Sequence, residues 1–144
     1  MINLSQNIKP LILVQTPHIN TYEIKDLIHD YMVDNAVPCH CDGKIEPVLD
    51  VLHEHETHSE NLFNYFKKHI TDPELYRLVS GYFYSENIGS HRWIQAGDLI
   101  VDIAISRFNH YPAISEDIWN MFANYSYLLS DSIDHPLHQL YVEL

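Results

Sequence analysis

One carboxylate, Asp102, interrupts an otherwise apolar run, Leu99-Ile100-Val101-Asp102-Ile103-Ala104-Ile105. Such a run belongs in an interior, and a carboxylate carried inside with it needs a partner. The nearest candidate lies upstream, in Ser90-His91-Arg92-Trp93-Ile94-Gln95, across the turn signal Ala96-Gly97. With Ala96-Gly97 as a two-residue hairpin turn, Gln95 faces Asp98 and His91 faces Asp102. A four-residue loop closed by Ile94 and Leu99 gives the same pairing, whereas a three-residue loop sets His91 against Ile103. Opposed residues project on one face with Cβ atoms about 4.5–5.5 Å apart, which suits a carboxylate that orients an imidazole. The same pair also reads as a half-buried cross-strand contact with no chemistry.

Around this hairpin the hydrophobic period changes along the chain. Leu11-Ile12-Leu13-Val14 is a short apolar run, either a strand or a buried arm. Asn20 with Glu23 forms a capping-box pattern ahead of Ile24, Leu27, Ile28, Tyr31 and Met32, which predicts a helix ending before Pro38. Ile45, Val48, Leu49 and Leu52 have helical spacing. Pro47 confines that helix to a start near Ile45 or Glu46, since an interior proline costs about 3 kcal/mol. A further helix is predicted over Asn61 to Ile70. Leu75 to Ser85, His91 to Gln95 and Leu99 to Ala104 read as strands. Ser115 is a plausible N-cap for a last helix, with Ile118, Phe122, Tyr125 and Leu129 on one face. The fold class is therefore α+β, with helices packed on an antiparallel sheet in one domain over residues 1–144.

Lys and Arg number 8 against 20 Asp and Glu, a formal charge of −12, which repels phosphate backbones and anionic lipid. No nucleic-acid or membrane partner is expected, and no apolar run of about 18 residues suggests a spanning helix. The first ten residues lack the basic start and cleavage site of a Sec signal, so the expected location is the cytoplasm, or another cell for a delivered effector. The oligomeric state is not readable.

Two cysteines lie in Cys39-His40-Cys41, just upstream of the predicted helix. A nucleophilic thiolate is stabilised by a helix N-terminus and by a nearby imidazolium; Cys41 has the first, and His91 could supply the second. An acyl-transfer site also needs an oxyanion hole, for which Asn35 is a candidate donor, although it reads equally as a helix C-cap. His53, His55 and His58 raise a zinc alternative, yet the spacing fits no standard site, and these residues read as a polar helix end or loop. A disulfide between residues two apart closes poorly.

These residues together resemble a transglutaminase-like/papain-like cysteine hydrolase pattern of small bacterial proteins. That pattern has an aromatic-Pro pair, two residues and a Cys-containing loop opening a helix, then Ser-His-x-Trp, then Ile/Val-Asp-Ile-Thr with a Phe a few residues on. This chain offers Val37-Pro38-Cys39-His40-Cys41-Asp42-Gly43, Ser90-His91-Arg92-Trp93-Ile94, and Ile100-Val101-Asp102-Ile103-Ala104 with Phe108. The resemblance implies Cys41 as nucleophile, His91 as base and Asp102 as orienting acid, with Cys39 as fallback nucleophile. It departs at Glu46-Pro47, at Ala104 where Thr is expected, and at Arg107 where Gln is expected.

The resulting expectation is a cysteine-dependent amide hydrolase or acyltransferase (peptidase, amidase or glutamine deamidase). It would act on a protein or peptide through a thioester, without a cofactor or metal. Trp93 and His40 are substrate-binding candidates, with Trp93 equally readable as core. The alternative is an acidic binding, inhibitor or immunity-like protein on the same fold, whose charge steers a basic partner.

Overall fold

The computed structural model describes residues 8–35, 37–41, 44–48 and 55–144, with the side chains of 37–41, 44–48, 55, 56 and 110 outside that description. Among the described residues, three helices pack on a mixed six-stranded sheet, an α+β architecture. The strands are β1 (Pro10–Leu13), β4 (Arg77–Phe83), β5 (His91–Ala96), β6 (Leu99–Asp102), β7 (Tyr127–Ser130) and β8 (Tyr141–Glu143). Their order across the sheet is β1-β7-β6-β5-β4-β8. A separate two-stranded sheet pairs β2 (Val37–Cys41) with β3 (Lys44–Val48). No helix among the described residues is long and apolar enough to cross a membrane.

The first helix, α1 (Thr21–Asn35), forms where the capping box places it: Asn20 Oδ1 accepts the Glu23 amide at 3.1 Å. Asn35 closes its other end, donating from Nδ2 to the Tyr31 carbonyl at 2.7 Å. The second, α2 (His55–His69), begins about a turn and a half earlier than the apolar spacing predicts. Within it, His58 is 6% exposed and its Nδ1 meets the Tyr31 hydroxyl at 2.7 Å, so it belongs to the interior and not to a solvated polar end. The third, α3 (Glu116–Phe122), is capped by Ser115 as expected.

Three sequence expectations are corrected by the backbone. Where a helix from Ile45 or Glu46 is expected, the chain is a strand as far as Val48; Leu49 and Leu52 of that expected helix lie outside the described residues. The Asp42-Gly43 dipeptide between the paired Cys41 and Lys44 is a strong hairpin signal, and it outweighs the helical spacing of Ile45 and Val48. The tail helix stops at Phe122, and Tyr125 and Leu129 leave its face. Leu129 joins β7, whose four residues are all buried, and a strand covered on both faces carries no two-residue alternation to reveal it. The sheet is mixed and not antiparallel throughout, because β1 pairs in parallel with β7 at one edge.

Apolar residues cover both faces of the sheet. One face buries Ile94, Val101, Tyr127 and Leu129 under Ile24, Ile28 and Met32 of α1 and Leu62 and Phe66 of α2. The other buries Val79, Phe83, Trp93, Ile100 and Leu128 against Phe108, Phe122 and Leu137. Asp131, just past β7, accepts the Gln15 amide at 2.7 Å and the Thr16 amide at 2.9 Å, tying down the chain after β1. Hydrogen bonds to a charged group contribute about 1.5–3 kcal/mol, so Asp131→Ala is expected to lose about that much in urea denaturation. A loss below about 0.5 kcal/mol would show that water replaces the carboxylate at both amides.

Candidate functional site

The His91–Asp102 pair forms, though not by the turn expected. Gly97-Asp98 is the turn and Ala96 pairs with Leu99, so the register is displaced by two residues from the predicted one. Gly97 has φ 59°, and glycine at the first central position is what a type II′ turn requires. A displacement of two leaves every side chain on its predicted face. Extending the ladder sets Trp93 opposite Asp102, which leaves His91 as the diagonal neighbour. The imidazole spans that diagonal: Nε2 donates to Asp102 Oδ2 at 2.7 Å, with both side chains 0% exposed.

Asp102 is held from several sides. Tyr141 of β8 donates its hydroxyl to the same Oδ2 at 2.6 Å, and the Ala104 amide donates to Oδ1 at 2.8 Å. Burial alone pushes the Asp102 carboxyl up. The adjacent His91 with its hydrogen bond, the Tyr141 hydroxyl and the Ala104 amide outweigh burial and hold it below its ordinary value. Burial and the adjacent Asp102 carboxylate push the Tyr141 phenol well above its ordinary value, so it stays a donor at physiological pH.

The Ala104 bond also reverses the chain. It leads into a 3-10 stretch, Ile105–His110, that carries Arg107 back to the start of β5. Arg107 is 6% exposed. Its Nη1 donates to the Ser90 carbonyl at 3.0 Å and meets His91 Nδ1 at 3.2 Å, while Nη2 donates to the Tyr111 hydroxyl at 3.3 Å. Both ring nitrogens of His91 are thus contacted, Nε2 by a carboxylate and Nδ1 by a guanidinium. Phe108 sits edge-on to the ring with centroids 4.8 Å apart.

The remaining sequence candidates fall differently. Trp93 is 1% exposed and packs against both His91 and Tyr141, with its Nε1 donating to Gln95 Oε1 at 2.9 Å, so it serves as core. Asn35 spends an amide hydrogen on capping α1. The side chains of Cys39, His40, Cys41 and His55, and the whole of His53, lie outside the described residues. The backbone of Cys41 ends β2 and is followed by β3, so the thiolate support expected from a helix beginning there is absent. The next described helix, α2, packs on the Ile94 face of the sheet, opposite the face that carries His91. Among the described residues no group of three His, Cys, Asp or Glu is placed to hold a metal ion.

Sequence reasoning missed Tyr141 and the role of Arg107. Tyr141 belongs to a three-residue edge strand, too short to show a period. Arg107 did carry a signal, as the lone cation in the apolar stretch Ile103 to Phe108. Comparison with family models, with curated proteins and with solved structures finds no match to this chain.

Proposed function

We propose that the protein is a cysteine-dependent amide hydrolase or acyltransferase built on Cys41, His91 and Asp102, on a papain-like or transglutaminase-like variant of its α+β fold. The observation that carries this reading is the buried 2.7 Å bond from His91 Nε2 to Asp102, which leaves Nδ1 as the nitrogen able to act as base. Nδ1 takes the Cys41 thiol proton, and the sulfur attacks the substrate amide carbon. The C–N bond then breaks, and the leaving amine departs with the proton from His91. Water or an amine cleaves the thioester. Protein or peptide is the proposed substrate, and the chain's net charge of −12 favours a basic or neutral one.

A second reading is a non-catalytic interaction protein that retains an idle His–Asp pair. The full burial of His91 and the guanidinium on its Nδ1 favour it. Iodoacetamide labelling separates the two. In a chain carrying Cys39→Ser, which leaves Cys41 as the sole thiol, and Arg107→Met, which takes the guanidinium off Nδ1, labelling near neutral pH is expected to run at least about tenfold faster with His91 than with His91→Ala. Equal rates in the two chains favour the idle pair.

A further inference from the structure

We infer that Arg107 is a latch on His91: its guanidinium occupies Nδ1, the ring nitrogen the proposed reaction uses as base, and the site works only once that group withdraws. The inference rests on the proposed function for its consequence, and on the contacts themselves for its existence.

Arg107 is 6% exposed and packed over the rings of Phe108, at 4.8 Å, and Tyr111, at 5.7 Å. Among the described residues no carboxylate forms an ion pair with it. A buried cation needs compensation, and through the imidazole Arg107 is linked to the Asp102 carboxylate. Guanidinium, ring and carboxylate form one chain: Arg107 donates to Nδ1, and Nε2 donates to Asp102. A guanidinium has only donors, so the bond fixes the Nδ1 lone pair toward Arg107. That lone pair is then spent. Transfer of a thiol proton to Nδ1 would bring an N–H against an N–H and a cation against a cation. The Ser90 carbonyl and the Tyr111 hydroxyl hold the guanidinium in place at its other hydrogens.

Two measurements test the latch, one of which needs no reactive thiol. In a long-range proton–nitrogen NMR spectrum of the wild-type chain near neutral pH, His91 is expected to carry its proton on Nε2 and none on Nδ1. In Arg107→Met, which keeps the apolar stem without a donor, the Nδ1 resonance is expected to shift. A protonated Nδ1 in the wild type, or an Nδ1 resonance unmoved in the variant, overturns the latch. The wild-type spectrum decides even if the variant fails to fold. In the Cys39→Ser background, Arg107→Met is further expected to speed iodoacetamide labelling of Cys41 about tenfold, a step typical of freeing a general base. Slower labelling overturns the latch, because Arg107 would then be supporting the thiolate. If the Arg107→Met chain labels at one rate with or without His91, the Cys41 reading fails, and the NMR result alone judges the Arg107 contact.

Discussion

Asp102→Asn is expected to destabilise the protein by about 3–5 kcal/mol, the range for removing one member of a buried charged pair. The carboxylate is fully buried and receives His91 Nε2, the Tyr141 hydroxyl and the Ala104 amide. Asparagine offers a single acceptor oxygen and turns two N–H donors into the same space, so at least one of those three donors loses its partner. Urea denaturation near neutral pH reads the loss, and a change under about 1 kcal/mol would contradict the network described. The pH dependence follows from the same contacts. The folded Asp102 carboxyl lies below its ordinary value, because its partners outweigh burial. Its contribution is therefore complete above the ordinary carboxylate range and is lost as pH falls through the folded value. Wild-type stability should decline with acid across that window, and the Asn variant should decline less steeply. Asp131 contributes in the same direction, since its hydrogen bonds from Gln15 and Thr16 overcome burial and hold it low as well.

Gly81→Ala is expected to cost at least about 3 kcal/mol, the upper end of overpacking effects. Gly81 pairs with His91 on one side and with Glu143 on the other. A Cβ there would stand 1.9 Å from the Val142 carbonyl oxygen and 2.8 Å from Trp93 Cη2. The first atom is backbone and the second belongs to a buried ring, so neither yields cheaply. β8 must move outward, and Tyr141 moves with it, away from Asp102. The variant should thus weaken the Asp102 network at a distance, and a double variant with Tyr141→Phe should cost less than the sum of the two changes. A Gly81→Ala chain within about 0.5 kcal/mol of wild type would show that the edge strand adjusts freely.

How much of this was legible before the structure depends on the length of the pattern. The capping box of α1 and the Ser115 cap are local and were readable from three or four residues. The face shared by His91 and Asp102 survived a misread turn, because a two-residue displacement preserves the alternation of a strand. The same tolerance does not protect helical spacing. Ile45 and Val48 fit a helix, yet the Asp42-Gly43 signal decided for a hairpin. β7 was absorbed into the tail helix because a strand buried on both faces shows no alternation. Of the site, the His–Asp half was visible because a lone carboxylate in an apolar run demands a partner. Tyr141 was not, since it reaches Asp102 only through a tertiary contact across 39 residues; Arg107 stood out as a lone cation, but its contact with His91, 16 residues away, did not.

Whether Cys41 works with His91 and Asp102 is decided by the distance between the Cys41 sulfur and His91 Nδ1 in a crystal structure of Arg107→Met. A separation within about 4 Å is expected, near hydrogen-bond reach with allowance for an apo site. A Cys41 sulfur on the α1–α2 side of the sheet, with the body of the sheet between it and the ring, would contradict it.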